Sequence, residues 1–103
     1  MLKDCEVFAC KKFNTPQGMM LAACDSEILG KKLKFGDVEV EICREFYFEK
    51  FCSEEELINL IKEAKIINLF GNKIMKIIID MGMAKKDEFK IIDNVAHIQI
   101  YKL

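Results

Sequence analysis

The chain has no tryptophan, a single proline (Pro16), a single histidine (His97) and a single arginine (Arg44) among its 103 residues. Each scarcity excludes something. One proline is too few for a polyproline ligand or a stiff proline-rich linker. One arginine leaves the chain almost without the planar fork that grips guanine or phosphate bidentately, so base-specific reading of a DNA groove is poorly equipped. One histidine leaves one side chain that titrates near neutral pH unaided. No apolar run approaches the roughly 20 residues a membrane-spanning helix needs. Charge of one sign is also lacking: 16 basic residues face 17 acidic ones, for a net charge of -1. A strongly basic nucleic-acid module is thereby excluded at the level of net charge, though not of local patches.

What is present is the composition of an ordinary folded chain, 51% hydrophobic and 32% charged. That much apolar side chain offsets ordering entropy and excludes intrinsic disorder. The length suits one domain spanning residues 1–103. Five cysteines, Cys5, Cys10, Cys24, Cys43 and Cys52, form an odd set with no regular spacing. Met1-Leu2-Lys3-Asp4 puts an acid where the apolar core of a secretion signal would begin. Reduced thiols in a cytoplasmic protein are the resulting expectation.

Patterning predicts strands, then helices, then strands. Residues 5–43 read as strands. Cys5 to Cys10 and the apolar Met19 to Cys24 flank a turn at Asn14-Thr15-Pro16-Gln17-Gly18. Asp25 to Gly30 reads as one helical turn, and Lys31–Phe35 and Asp37–Cys43 flank a hairpin break at Gly36-Asp37. Residues 53–82 switch to the helical period. Ser53 and Glu56 have capping-box spacing, and Leu57, Leu60, Ile61 and Ala64 form one stripe. Asn68-Leu69-Phe70-Gly71-Asn72 reads as an interhelical loop, followed by a second stripe at Ile74, Ile77, Ile78 and Met81. Residues 89–101 return to strands about an Asp93-Asn94 turn, with His97, Gln99 and Tyr101 on one face. The predicted fold is α+β: a mostly antiparallel sheet of about five to six strands, with a central helix-loop-helix packed on it.

Three segments carry a family resemblance. The stretch Val7 to Cys43, with Ala22-Ala23-Cys24-Asp25-Ser26-Glu27-Ile28-Leu29-Gly30-Lys31 inside it, resembles the small archaeal domain of unknown function 424 family. So does Glu63-Ala64-Lys65-Ile66-Ile67-Asn68-Leu69-Phe70-Gly71-Asn72, which is similar to that family's Ala, then Asn, apolar pair and Gly between two helices. The ending Asn94-Val95-Ala96-His97-Ile98-Gln99 is similar to its C-terminal motif, with Asn94, Ala96 and Ile98 standing where the family tends to carry Gly, Pro and Ala. The resemblance implies an archaeal, cytoplasmic protein of a functionally uncharacterised family, whose link to RNA or translation is an expectation by association alone.

Candidate groups each have two readings. His97, with Gln99 and Tyr101 beside it, fits either a general base or a half-buried structural side chain. The cysteines lack the close pairs of a structural zinc site, and buried small hydrophobes describe them better; neither a metal nor a cofactor is expected. Arg44 to Phe51, which includes Tyr47, concentrates aromatics that serve either as a plug under the helix or as a partner surface. Asn68, Gly71, Asn72 and Lys73 invite comparison with a helix-hairpin-helix, whose loop amides hold phosphate, or form a plain turn. Lys31 and Lys32, with Lys11-Lys12 and Lys85-Lys86, are solvated turns or one basic face. Paired catalytic carboxylates and nucleophile motifs are not apparent.

The leading functional expectation is a non-enzymatic binding module for RNA or for ribosome-associated proteins, away from membranes. The alternatives are a small enzyme or ligand binder using the His97 strand and the Asn68–Gly71 loop, and a homodimeric interaction module.

Overall fold

A computed structural model describes residues 7–102. The elements run β1 (Phe8–Thr15), β2 (Gly18–Asp25), a one-turn helix at Ser26–Ile28, β3 (Lys32–Phe35), β4 (Val38–Glu41), α1 (Arg44–Tyr47), β5 (Lys50–Cys52), α2 (Glu54–Glu63), β6 (Ile66–Phe70), α3 (Asn72–Asp80), a one-turn helix at Lys86–Glu88, β7 (Lys90–Ile92) and β8 (Val95–Tyr101). The main sheet has the order β5-β1-β2-β6-β8-β7, and β3 and β4 form a separate hairpin. Among the described residues all pairings are antiparallel except β2 with β6. The fold is α+β with a mostly antiparallel sheet, as the patterning predicts. The Cys5 end of the first predicted strand lies outside the described residues.

One expectation is overturned. The two helices are joined through a central strand, not a loop, so the predicted helix-loop-helix is a helix–strand–helix. Ile66-Ile67-Asn68-Leu69-Phe70 is a five-residue apolar run that pairs with β2 on one side and β8 on the other. A short apolar run buried on both faces has no period that separates it from a helix end or a loop. The polar Asn68 in its middle reads as a turn signal until its partner is seen.

Two cores lie on opposite sides of the sheet. On one side, α2 and α3 lay Leu57, Leu60, Ile61, Ala64, Ile74, Ile77 and Ile78 against Phe8, Cys10, Leu21, Ala23, Ile67, Leu69, Ala96 and Ile98. On the other, the β3–β4 hairpin, α1 and the Ser26–Ile28 turn bury Ile28, Leu33, Ile42 and Tyr47 against Ala9, Ala22, Cys24, Phe70 and Ile92. Strand residues alternate between the two sides, as the pleat requires. The aromatic run is therefore a plug, but it sits under the sheet face remote from α2 and α3. Phe46 stacks on Phe13 with centroids 5.3 Å apart, and Tyr47 meets Phe70 edge-on at 5.9 Å.

Local chemistry sets the element ends. The Ser53 hydroxyl accepts from the Glu56 amide at 3.1 Å. The second half of the capping box is not made, because the Glu56 carboxylate takes the Lys50 ammonium instead. At the other end of α2, Lys102 Nζ donates to the carbonyls of Ile61 (2.6 Å) and Lys62 (3.0 Å), satisfying two of the final orphan acceptors. Asp93 and Asn94 both have positive φ (51° and 66°), the geometry a two-residue turn needs to match the twist of β7 and β8.

Candidate functional site

The pairing register aligns residues in rows on the hairpin-side face of the sheet. One row runs Ala9, Cys24, Phe70, His97, Lys90; the next runs Lys11, Ala22, Asn68, Gln99; the third runs Phe13, Met20, Ile66, Tyr101. Hairpin and α1 cover the first row most fully. Cover thins toward the third, where Phe13, Met20 and Ile66 are half-buried and Tyr101 is 65% exposed.

Four candidates from the sequence meet here. Tyr47 reaches from α1, and its hydroxyl donates to Asn68 Oδ1 at 2.6 Å. Burial pushes the Tyr47 phenol above its usual range, which keeps it a donor. Gln99 lies opposite Asn68 in the register and is exposed. His97 lies opposite Phe70 and stacks on its ring, with centroids 4.2 Å apart. Burial, then the nearby Lys90 ammonium, lowers the His97 imidazole below its usual value. Among the described residues no carboxylate or thiol is hydrogen-bonded to His97, so nothing orients it as a general base.

The remaining candidates do other things. The Gly71 amide donates to the Ala96 carbonyl at 2.8 Å. Asn72 clips the β7–β8 turn: its Nδ2 donates to the Asn94 carbonyl (3.1 Å) and its Oδ1 accepts from the Ala96 amide (3.0 Å). Lys73 Nζ stands 3.8 Å from Glu27. Lys32 opens β3 of the hairpin that packs on this face and Lys31 precedes it, and both side chains are exposed. Lys32 pairs across the strands with Glu41 and Lys34 with Glu39, so the hairpin carries its own compensating acids.

Sequence reading missed the residue that governs the start of α3. Asp25, only 3% exposed at the end of β2, accepts from the amides of Lys73 (3.0 Å) and Ile74 (3.1 Å). Its carboxylate fills the position where a phosphate would bind a helix N-terminus, so those amides are not free for an outside anion. Burial raises the Asp25 carboxyl above the usual range, opposed by those same two amides. Gly71 leads into the helix with φ of 135°, and a Cβ there would run into the Asp25 carboxylate. The available signal was a pairing: a helix beginning on glycine with no capping side chain of its own, and an acid closing an apolar strand.

On the helix side, a groove of about 550 Å³ between α2 and α3 is lined by Phe8, Ile58, Lys73, Ile77 and Met81 among others, and by none of Tyr47, Asn68, His97 or Gln99. Cys10, Cys24, Cys43 and Cys52 are free thiols, with Cys24 pushed up to about 12 by burial. Among the described residues no three His, Cys, Asp or Glu side chains are close enough to hold a metal ion. No described helix is long and apolar enough to cross a membrane.

The profile of the family described as "Protein of unknown function (DUF424)" matches residues 13–103. The chain belongs to the DUF424 family. A solved structure of an uncharacterised conserved protein from the archaeon Methanopyrus kandleri is similar to it, with 28% sequence identity and a TM-score of 0.81 over 93% of this chain and 91% of that one. No curated protein sequence matches. The DUF424 match takes in all of β2, β6, β8 and α3, hence Asp25, Asn68, Gly71 and the rows around Gln99.

Proposed function

We propose that this protein is a non-enzymatic binding module whose ligand is single-stranded RNA, held on the thinly covered part of the hairpin-side sheet face. The observation that carries the reading is the exposed Tyr101 ring at the end of the Phe13–Met20–Ile66 row, beside the amides of Gln99 and Asn68. A flat sheet offering an aromatic ring and amide groups suits unstacked bases, and stacking on a ring contributes about 1–3 kcal/mol per base. Lys11 on β1 and Lys90 on β7 flank the rows and supply positive charge for the backbone. The Lys11 ammonium donates to the Glu45 backbone carbonyl, and the Glu49 carboxylate accepts from the Lys12 amide, so an acid lies beside this positive charge, in keeping with modest rather than tight affinity. The free thiols fit a reducing compartment, and we place the protein in the cytoplasm with its RNA.

Fluorescence anisotropy with labelled single-stranded oligoribonucleotides, and filter binding with ribosomal and transfer RNA, test the reading across a salt series. Binding that weakens as salt rises, and falls by about 1–3 kcal/mol in Tyr101→Ala, supports it. Absence of binding at the lowest salt overturns it.

A further inference from the structure

We propose that the β7 edge of the main sheet, with the tip of the β3–β4 hairpin beside it, is an interface at which a second copy of this chain adds its own β7, antiparallel about Ile91. The inference stands apart from the RNA reading, which rests on the Gln99–Tyr101 end of β8.

Among the described residues β7 closes one edge of the sheet, with β8 as its partner. Ile91 stands opposite Ala96 in the register, yet both backbone groups of Ala96 are spent on the far side. Its carbonyl accepts from the Gly71 amide, and its amide donates to Asn72 Oδ1. Antiparallel pairs alternate between bonded and unbonded, and the two-residue Asp93-Asn94 turn makes Ile92 and Val95 a bonded pair. The Ile91 amide and carbonyl therefore point out of the sheet edge, and the residue is 55% exposed. An open edge of this kind is a template for another strand.

The hairpin sets an apolar surface beside that edge. Leu33 and Val40 are paired and pack toward the sheet, and Leu33 is buried. By the period of two, the next pair on the same face is Phe35 with Val38. These are 42% and 60% exposed. The Lys34 amide donates to Asp93 Oδ2 at 3.1 Å, and the Lys90 ammonium lies 4.3 Å from the centre of the Phe35 ring, so this end of the hairpin is held at β7. Its sheet-facing side thus continues where the cover of the sheet gives out, and Phe35, Val38 and Ile91 are left together as exposed apolar residues.

A second copy suits this surface better than a loose peptide. One outward-facing residue exchanges a single pair of main-chain hydrogen bonds, too few to hold a peptide by its backbone. A two-fold axis at Ile91 makes the same bonds and uses every apolar residue twice, since each copy brings its own Ile91, Phe35 and Val38. Charge selects the direction. Antiparallel pairing sets Lys90 opposite Ile92 of the second copy and next to the Asp93 carboxylate of that copy, and does so twice. Parallel addition sets lysine beside lysine.

Sedimentation velocity on the intact chain over a concentration series tests the interface. The wild type is expected to move from monomer to dimer as concentration rises. Ile91→Pro removes an amide that bonds nothing within its own copy, so the circular dichroism of the monomer is expected to persist while the dimer dissociation constant rises by at least about tenfold. Val38→Lys, at the exposed hairpin tip, is expected to act in the same direction and serves if the proline variant fails to fold. Hydrogen exchange at the Ile91 amide is expected to slow as the wild type is concentrated. A wild type that stays monomeric up to its solubility limit overturns the inference, as does a dimer that survives in the folded variants or an Ile91 amide that exchanges equally fast in the dimer. None of these outcomes bears on RNA binding, which the oligoribonucleotide titrations decide separately.

Discussion

At the scale of single residues, the two most consequential side chains are polar groups set in apolar surroundings. Asp25 and Asn68 stand on adjacent strands, and each is aimed by one partner element: Asp25 by the amides that open α3, Asn68 by the Tyr47 hydroxyl. Asn68 was visible in the sequence as a polar break in an apolar run, but its reading as a loop residue followed from not knowing its partner. Asp25 was hidden because an acid before Ser26-Glu27 looks like an ordinary turn residue. Gly71→Ala is expected to be among the most damaging single changes, at more than about 2 kcal/mol. It forces a side chain into left-handed backbone and against a buried carboxylate; urea denaturation measures it. His97 gives a pH signature. Its imidazole is lowered below 6.5 in the folded state, so the unfolded chain binds its proton more readily. The stability His97 contributes is whole above pH 6.5 and falls away as the pH drops through that value toward the lowered one. His97→Gln is expected to flatten this part of the profile of urea midpoints, and an unchanged slope between about pH 7 and 5 would contradict it.

Among elements, helices and hairpins were the legible part, because each announces itself by period or by turn chemistry. The Leu57–Ala64 and Ile74–Ile78 stripes are buried as the 3.6 period requires, and the Asp93-Asn94 turn has the positive φ angles its residues tolerate. What could not be read was partnership across the chain. β6 lies between β2 and β8, and neither neighbour's pairing leaves a mark in the local sequence. The caps of α2 and α3 show the same contrast. Ser53, three residues before the amide it serves, was readable; Asp25, supplied from β2, was not. Ser53→Ala is expected to cost about 0.5–2 kcal/mol. Asp25→Ala is expected to cost at least as much, since it leaves the amides of Lys73 and the buried Ile74 without their acceptor. Thermal melts of the two variants give the comparison, and an Asp25→Ala protein as stable as the wild type would refute the capping role.

For the whole molecule, the sheet is the shared floor of two cores, and each strand of its centre contributes alternate residues to both. Damage on either side is therefore felt by the other. Ile42→Ala on the hairpin side and Ile61→Ala on the helix side are each expected to cost about 2–5 kcal/mol, because both side chains are fully buried. Both variants are expected to unfold in one transition. Tyrosine fluorescence, which includes Tyr47 in the hairpin-side core, and far-ultraviolet circular dichroism, dominated by helices and sheet, should coincide. Two separated transitions would mean that the sides melt independently.

The β2–β6 pairing has a consequence for how the chain can be divided. Among the described residues it is the sheet's one parallel ladder, and it joins an N-terminal set of strands, β5-β1-β2, to a C-terminal set, β6-β8-β7, each internally antiparallel. A break after Ala64 falls between α2 and β6 and severs no strand. The fragments 1–64 and 65–103, expressed together, are expected to find one another along that seam. A reporter split between the two pieces would light up, and lining the seam with proline at Ala23 would keep it dark.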